Sequence, residues 1–341
     1  MMTKPAKSMK AILLEDYNPN LVRALKNMHL SEMPVPKPKA KQVLVQVEAS
    51  PVNPSDIAFL RGGYNIVKSL PAIPGFEGAG KIVALGAGVD SKRLGERVSF
   101  FTQSNESGAW AEYCVIGEND FVPLSAEMPL EQAACFFVNP FTAFALMEHL
   151  SENQHQAIIQ TAAMGQVGSF IRYFAREKNI EVINLVRKEA QEKTLREQGF
   201  KYVINTNDED FDSRLKDLAQ QQNATGAIDA VGGDLCGRLL NAMPAGSELV
   251  LYGGLSGMPV SAINPLSLIF QNKILSGFNL NDWLAEKSGE DFELISHHIQ
   301  QLFIAEKLKT QIHHSFAIDD FYAGLRAYIG DMSAGKVLIK H

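Results

Sequence analysis

From Gln156 onward, short apolar, β-branched runs alternate with amphipathic stretches, and this alternation restricts the possible folds more than any other feature of the chain. QAIIQT, EVINLV, KYVIN, GAIDAV and SELVLY read as strands, and SFIRYFAREK, RKEAQEKTLREQ, DEDFDSRLKDLAQQQ and GDLCGRLLNAM between them read as helices. In the first helical stretch Phe170, Ile171 and Phe174 fall on one face, and Arg172, Arg176 and Glu177 on the other. Strands that alternate with helices imply an α/β fold, a doubly wound parallel sheet covered on both faces. A sixth strand, KILSGF (273–278), is expected to close it.

The chain before this region has a different rhythm. From Lys10 to about Ser125, β-type runs (AILLE, QVLVQVEA, GKIVALGAGV, ERVSFF, AEYCVI) are punctuated by Gly and Pro, as expected of an all-β unit with functional loops. The C-terminal region reads as helices around 290–308 and 318–330 and a last strand, KVLIK. At 341 residues the chain exceeds one ordinary core, so two domains with a cleft between them are expected.

Charge and composition exclude several functions. With 32 basic and 38 acidic residues the net charge is −6, which argues against a nucleic-acid partner. The most apolar stretch, AACFFVNPFTAFALM (133–147), is interrupted by Asn139 and Pro140, so no membrane span is expected. MMTKPAKSMK lacks the apolar core of a signal peptide, and a cytoplasmic location is expected. Cys114, Cys135 and Cys236 lie far apart, against a disulfide framework or a cysteine-built zinc site. The adjacent pairs His297–His298 and His313–His314 read as solvated helix and loop residues, since helical neighbours point about 100° apart.

The turn TAAMGQVG (161–168) follows the first strand of the alternation and precedes its first helix, expected from Ser169. A dinucleotide's pyrophosphate binds at this junction, where backbone N–H groups and a helix N-terminus converge. Ala162, Ala163, Gly165, Gln166, Val167 and Gly168 are therefore the candidate cofactor-binding residues. Gly165 would permit close approach of the phosphates, and Gly168 close packing of helix on strand. The spacing is Ala-x-x-Gly-x-x-Gly, one residue shifted from the usual Gly-x-Gly-x-x-Gly. An NAD site ends its second strand with an acid; here Arg187 and Lys188 stand there, which favours NADPH over NADH because guanidinium suits a 2′-phosphate. The alternative is that Arg187 merely solvates a helix N-terminus, where the helix dipole disfavours a cation. Tyr252, Gly253 and Gly254 end a strand at the C-terminal edge of the sheet, where ligands of such sheets bind.

Together these stretches resemble the medium-chain dehydrogenase/reductase superfamily over nearly the whole chain. The resemblance implies a Rossmann domain beside a GroES-like β-rich catalytic domain completed by the C-terminal segment. Residues 1–125 would form the first part of the catalytic domain, 126–272 the Rossmann domain, and 273–341 an edge strand and a returning segment. Zinc alcohol dehydrogenases carry Gly-His-Glu with a zinc-binding His; here GFEGAG (75–80) puts Phe76 in that position and leaves Glu77 an expected structural role. No zinc or other metal is expected.

Within the superfamily, ASPVNPSDIAFLRGGY (49–64), FVNPFTAF (137–144), LYGGLSGMPV (251–260) and PLSLIFQNKILSGFNLNDWL (265–284) resemble 2-enoyl thioester reductases, and next to them quinone oxidoreductases. The resemblance implies that Tyr64 is the proton donor and that Asn53 and Thr142 are polar contacts near the reacting groups. The plain alternatives are a packed loop tyrosine, an Asn-Pro turn and a helix start. Lys336 is similar to a cofactor-contacting lysine of quinone reductases, the alternative being a solvated surface lysine. Phe278 and Trp283 would line an acyl pocket or simply pack. A homodimer, formed through KILSGF, is implied as well.

With no metal to polarise a carbonyl, hydride transfer to an electron-poor conjugated carbon is the expected task. The expected substrate is a small molecule, foremost a 2-enoyl thioester or related enone, reduced by NADPH. Two alternatives stand beside it: an NADPH:quinone oxidoreductase, and an NADPH-binding sensor or structural protein with little turnover.

Overall fold

A computed structural model describes residues 6–341. The first strands, β1 (Ser8–Leu14) and β2 (Met28–Pro34), pair antiparallel around α1 (Leu21–Lys26). β3 (Gln42–Pro51) leads into α2 (Pro54–Leu60), and β4 (Glu77–Leu85), β5 (Arg97–Phe101), β6 (Tyr113–Gly117), β7 (Phe121–Pro123) and α3 (Leu130–Ala134) follow. The stretch is not all-β as its sequence implies. Two helices too short to show a period are set by local capping: Asn20 accepts from the Arg23 N–H, and Pro54 occupies the first turn of α2 behind Asn53.

The doubly wound unit begins within α4 (Val138–Glu152). Its elements then alternate: β8 (Ala157–Gln160), α5 (Gln166–Glu177), β9 (Glu181–Val186), α6 (Glu189–Glu197), β10 (Val203–Asn205), α7 (Phe211–Gln221), β11 (Gly226–Asp229), α8 (Gly233–Ala242) and β12 (Glu248–Leu251). After α9 (Pro265–Phe270) come β13 (Ile274–Gly277) and α10 (Leu280–Glu286). The six strands are parallel in the order β10-β9-β8-β11-β12-β13. The order reverses between β8 and β11, and ligands of such sheets bind at that switch point. α5 starts at Gln166, three residues before the expected Ser169, because Gly165 takes the N-cap.

The chain ends with α11 (Gly289–Ile304), β14 (Ile312–Ala317), α12 (Phe321–Gly330) and β15 (Lys336–Lys340). β14 is not legible in the sequence, and it places His313 and His314 on a strand, irregular between Ile312 and His314, rather than on a loop or helix. β15 pairs with the end of β3, Leu338 opposite Pro51, and with β14 extends a seven-stranded sheet. β3 is the organiser: one edge holds β4, and the other is shared between β6 near Gln42–Gln46 and β15 near Ala49–Pro51.

Contacts divide the chain into two units: the first runs through Val138 and resumes with Gly289–His341, and the second is Asn139–Ser288. The boundaries lie at 138/139 and 288/289 rather than 125/126 and 272/273. α3 packs on β3, β4 and β5 of the first unit, and β13 pairs with β12 of the second. The first unit is built around Ile12, Phe59, Phe76, Trp110, Leu325 and Ile339, and the second around Ile159, Ile183, Phe211, Leu240 and Leu249. Among the described residues no helix is long and apolar enough to cross a membrane.

Candidate active site

In the first unit the polar candidates converge below the end of β3. Asn53 caps α2, is 2% exposed, and receives a hydrogen bond at its backbone oxygen from the Asp56 N–H (3.1 Å). Its own N–H donates to Asp56 Oδ2 (2.7 Å), the reciprocal bond of a capping box. Because β15 pairs with β3, with the Val52 N–H bonded to the Val337 carbonyl (2.9 Å), Lys336 arrives beside Asn53 and donates to its Oδ1. The Asn53 amide in turn donates to Glu77 Oε2 (2.9 Å), and Glu77 Oε1 accepts from the Val138 N–H (2.8 Å).

Asn53, Asp56, Glu77 and Lys336 are all buried, so this is a closed polar network within an apolar surround. Lys336 is therefore not a solvated lysine, and Glu77 is held on both oxygens. Burial pushes the Asp56 carboxyl up to about 7 against the pull of the Asn53 N–H and the Lys336 charge, and it raises Glu77 as well. Asp56 is the member that sequence reasoning missed. Its signal was present: an acid three residues after an Asn-Pro helix start is a capping-box spacing.

Tyr64 stands in the irregular segment between α2 and β4, half-buried, after Gly62 at φ +70°. Its ring stacks on Phe76, centroids 5.3 Å apart, and its Oη accepts from Gln103 Nε2 (3.5 Å). Burial and the nearby Asp56 carboxyl raise the phenol above its ordinary value. It is thus a proton-bearing group at neutral pH.

In the second unit the turn after β8 has the geometry of a phosphate cradle. Gly165 caps α5, and helix geometry leaves the first-turn N–H groups of Val167 and Gly168 without an intrahelical acceptor. A Cβ at Gly168 would stand 2.6 Å from the Ala163 carbonyl oxygen, so only glycine permits this packing of helix on turn. Ala162 has φ +49°, the left-handed conformation, which costs an alanine roughly 1 kcal/mol. The turn is braced by Arg172, a residue sequence reasoning placed only on a polar face: its Nη1 donates to the Ala163 carbonyl and its guanidinium lies 4.8 Å from the Phe200 ring centroid. Burial lowers Arg172 to about 10.

Arg187 and Lys188 are exposed just after β9, and Lys188 is the N-cap of α6. Among the described residues the Arg187 guanidinium has no hydrogen-bond or ion-pair partner, although Glu189 and Glu192 follow in the first turn. Tyr252, Gly253 and Gly254 follow β12. A Cβ at Gly253 would meet the Ala230 carbonyl oxygen at 2.7 Å, whereas Gly254 has nothing within 4 Å. Burial and Asp229 raise the Tyr252 phenol. Asp229 and Thr161, unremarked in the sequence, bond at the switch point (2.7 Å), and Asp229 also accepts from the N–H groups of Val231 (2.8 Å) and Gly232 (3.1 Å). These bonds tie the loop after β11 to Thr161, at the start of the turn after β8.

Three candidates remain, and Phe278 among them donates its N–H to the Leu251 carbonyl (2.9 Å), directly before Tyr252. Thr142 is buried one turn inside α4, not at its start. Phe278 is half-buried directly after β13. Trp283 is 8% exposed and its indole N–H donates to Glu148 Oε2 (2.8 Å), with Lys287 Nζ 5.0 Å from the ring centroid, so its polar atom is satisfied within its own unit.

Two family models match the chain: an alcohol dehydrogenase GroES-like domain over residues 39–126 and a zinc-binding dehydrogenase over residues 167–297. Curated relatives include the mitochondrial enoyl-[acyl-carrier-protein] reductase of Xenopus tropicalis, 33% identical over 83% of this chain and 80% of that protein. The Bos taurus enzyme of the same name is 29% identical over 94% of this chain and 86% of its own. Among solved structures, a candidate NADPH:quinone reductase of Mesorhizobium loti superposes with a TM-score of 0.92 at 30% identity, covering 99% of this chain and 100% of that one. A mutant enoyl thioester reductase of Candida tropicalis shares the fold, with a TM-score of 0.78 at 21% identity over 98% and 100% of the two chains.

The second family description names zinc, and the donor set does not fit a catalytic zinc. Phe76 is fully buried with no donor atom, the three cysteines are buried in separate places, and Glu77 is spent on Asn53 and Val138. Among the described residues no group of three or more His, Cys, Asp or Glu is placed to hold a metal ion.

Proposed function

Because the chain belongs to the medium-chain dehydrogenase/reductase superfamily of oxidoreductases, we propose that it is a zinc-independent, NADPH-dependent reductase of conjugated acceptors, acting foremost on the C=C of a 2-enoyl thioester. The observation that carries this reading is the pair Phe76–Tyr64. Where a metal-binding side chain would stand, the chain has a phenyl ring, and stacked on it is a phenol that burial keeps protonated. A site of this composition can give a proton but cannot act as a Lewis acid.

The chemistry that NADPH would supply when bound is a hydride for the electron-poor carbon of the acceptor. Tyr64 then gives its proton to the carbon beside the thioester carbonyl, where negative charge develops. Asn53, its amide fixed between Lys336 and Glu77, offers a preset dipole rather than one that must reorient. The first turn of α5 and the Ala162–Gly168 backbone would hold the pyrophosphate, Arg187 with Lys188 would hold the 2′-phosphate, and Tyr252–Gly254 and Thr142 would line the remaining cofactor contacts. Phe278 borders the acyl chain.

A second reading, an NADPH:quinone oxidoreductase, draws support from the 30% identity to the Mesorhizobium loti protein over nearly the whole chain. It uses the same cofactor turn but needs no proton from Tyr64. NADPH consumption by metal-stripped protein, with trans-2-enoyl-CoA esters and a small quinone in parallel, separates the two. The leading reading expects preferential thioester turnover and a loss in Tyr64→Phe confined to the thioester. Preferential quinone turnover, untouched by Tyr64→Phe, would replace it with the second.

The chain is also proposed to form a homodimer through β13. Among the described residues this strand is an open sheet edge, with Ile274 53% exposed, next to α9, whose Leu266, Ile269 and Phe270 are 55%, 66% and 77% exposed. An apolar, unpaired edge of this kind is ordinarily covered.

A further inference from the structure

The Tyr64 segment, residues 61–76, contains no helix or strand, so only tertiary contacts place the phenol. Its firmest anchor is Lys68, four residues on, which is 2% exposed. The Lys68 ammonium donates to the carbonyls of Ser107 (2.6 Å) and Ile73 (3.1 Å). It lies 5.6 Å from the Phe59 ring centroid and 5.5 Å from that of Phe76. Among the described residues it has no carboxylate in ion-pair contact. The backbone of the same residue is clamped by Tyr17, whose hydroxyl accepts from the Lys68 N–H (2.8 Å) and lies 3.1 Å from the Lys68 carbonyl as its donor.

A buried ammonium bound to carbonyls and ring faces is a costly way to fill space. Burial lowers Lys68 to about 8, so it remains mostly charged at neutral pH. A methionine of similar length would occupy the same volume but leave two carbonyls without a donor. What the charge adds is a fixed position for the segment against the ring of Phe76, the ring on which Tyr64 stacks.

We propose that Lys68 is a positioning residue for proton transfer: held by Ser107 and Ile73, it fixes the Tyr64 segment so that the phenol stands where the proton is needed. The inference rests on the reading of Tyr64 as proton donor. It assigns Lys68 no contact with substrate or cofactor, which gives it a distinctive signature.

The test compares wild type, Lys68→Met, Tyr64→Phe and the double variant in enoyl-CoA reduction, with NADPH Kd and thermal midpoint measured alongside. Lys68→Met is expected to lower kcat on the order of 10–100-fold, as small misplacements of a reacting group do, with NADPH Kd changed less than about twofold. Since Lys68 acts only through Tyr64, the double variant is expected to be no slower than Tyr64→Phe. An undiminished kcat in Lys68→Met, or losses that multiply in the double variant, would overturn the proposal while leaving Tyr64 as donor. Unchanged enoyl reduction in Tyr64→Phe would overturn both. Should Lys68→Met fail to fold, Lys68→Gln shortens the side chain and takes the ammonium away from the Ser107 and Ile73 carbonyls while keeping a polar end. A fall in kcat that vanishes in the Tyr64→Phe background supports the proposal, and an unchanged kcat refutes it.

Discussion

The ammonium of Lys336 donates to the side-chain oxygen of Asn53, joining residues 283 positions apart in the chain at a point where both are buried. The contact follows from the antiparallel pairing of β15 with the end of β3, which brings the start of the last strand against the cap of α2.

Replacing Lys336 with Met should therefore cost more than a surface lysine would. The Asn53 oxygen loses its donor, and Asp56 and Glu77 lose the cation that holds their carboxyls down. A destabilisation of about 2–4 kcal/mol is expected by urea unfolding. A change within the roughly 0.5 kcal/mol typical of surface sites would show that the network does not depend on the lysine.

Asp56 predicts a pH dependence with a definite sign. Its folded value is about 7 against an ordinary 3.8, so as pH rises through this window the unfolded chain releases the proton first. The folded state then binds more protons, and the contribution of this group to stability falls from about pH 4 to about pH 7. Glu77, also raised, acts in the same direction. His155 and His341, both lowered by burial, act oppositely, so the quantity to measure is the stability of wild type relative to Asp56→Asn. That difference should shrink with rising pH; a flat difference would mean that Asp56 is ionised in the folded state throughout.

The Arg187 guanidinium is exposed after the second strand of the doubly wound sheet and has no partner among the described residues, which leaves it available for the proposed contact with a 2′-phosphate. Arg187→Ala should raise the Kd for NADPH by about 10–100-fold, the worth of a hydrogen bond to a charged group, and leave NADH binding nearly unchanged. Fluorescence titration with both cofactors checks this, and equal losses for the two would assign the 2′-phosphate to another residue.

If the proposed dimer forms through the exposed apolar face of α9 and β13, one charge placed there should break it. Phe270→Glu should shift the protein to monomer in analytical ultracentrifugation without lowering its thermal midpoint below that expected of the separated subunit. A wild-type protein that sediments as a monomer would refute the dimer, and a variant that stays dimeric would move the interface elsewhere.

The sequence alone determined what depends on neighbouring residues. The strand–helix alternation is a local period, the glycine-bearing turn from Ala162 to Gly168 is contiguous, and the resemblance to zinc dehydrogenases marks Phe76 as standing where their metal-binding His does. Even α1 and α2, too short for a period, left their caps in Asn20 and Asn53-Pro54. Only the tertiary structure decided what each polar side chain does. It buried Lys336 against Asn53, brought Arg172 back onto the Ala163 carbonyl and set Lys68 between two carbonyls and two rings. It also satisfied Trp283 with Glu148 and returned β15 to β3. These outcomes depend on strand register and on which groups lose their water together. Neither has a local signature, because burial is a property of the packed chain and a lysine reads the same in sequence whether water or a carbonyl receives its charge.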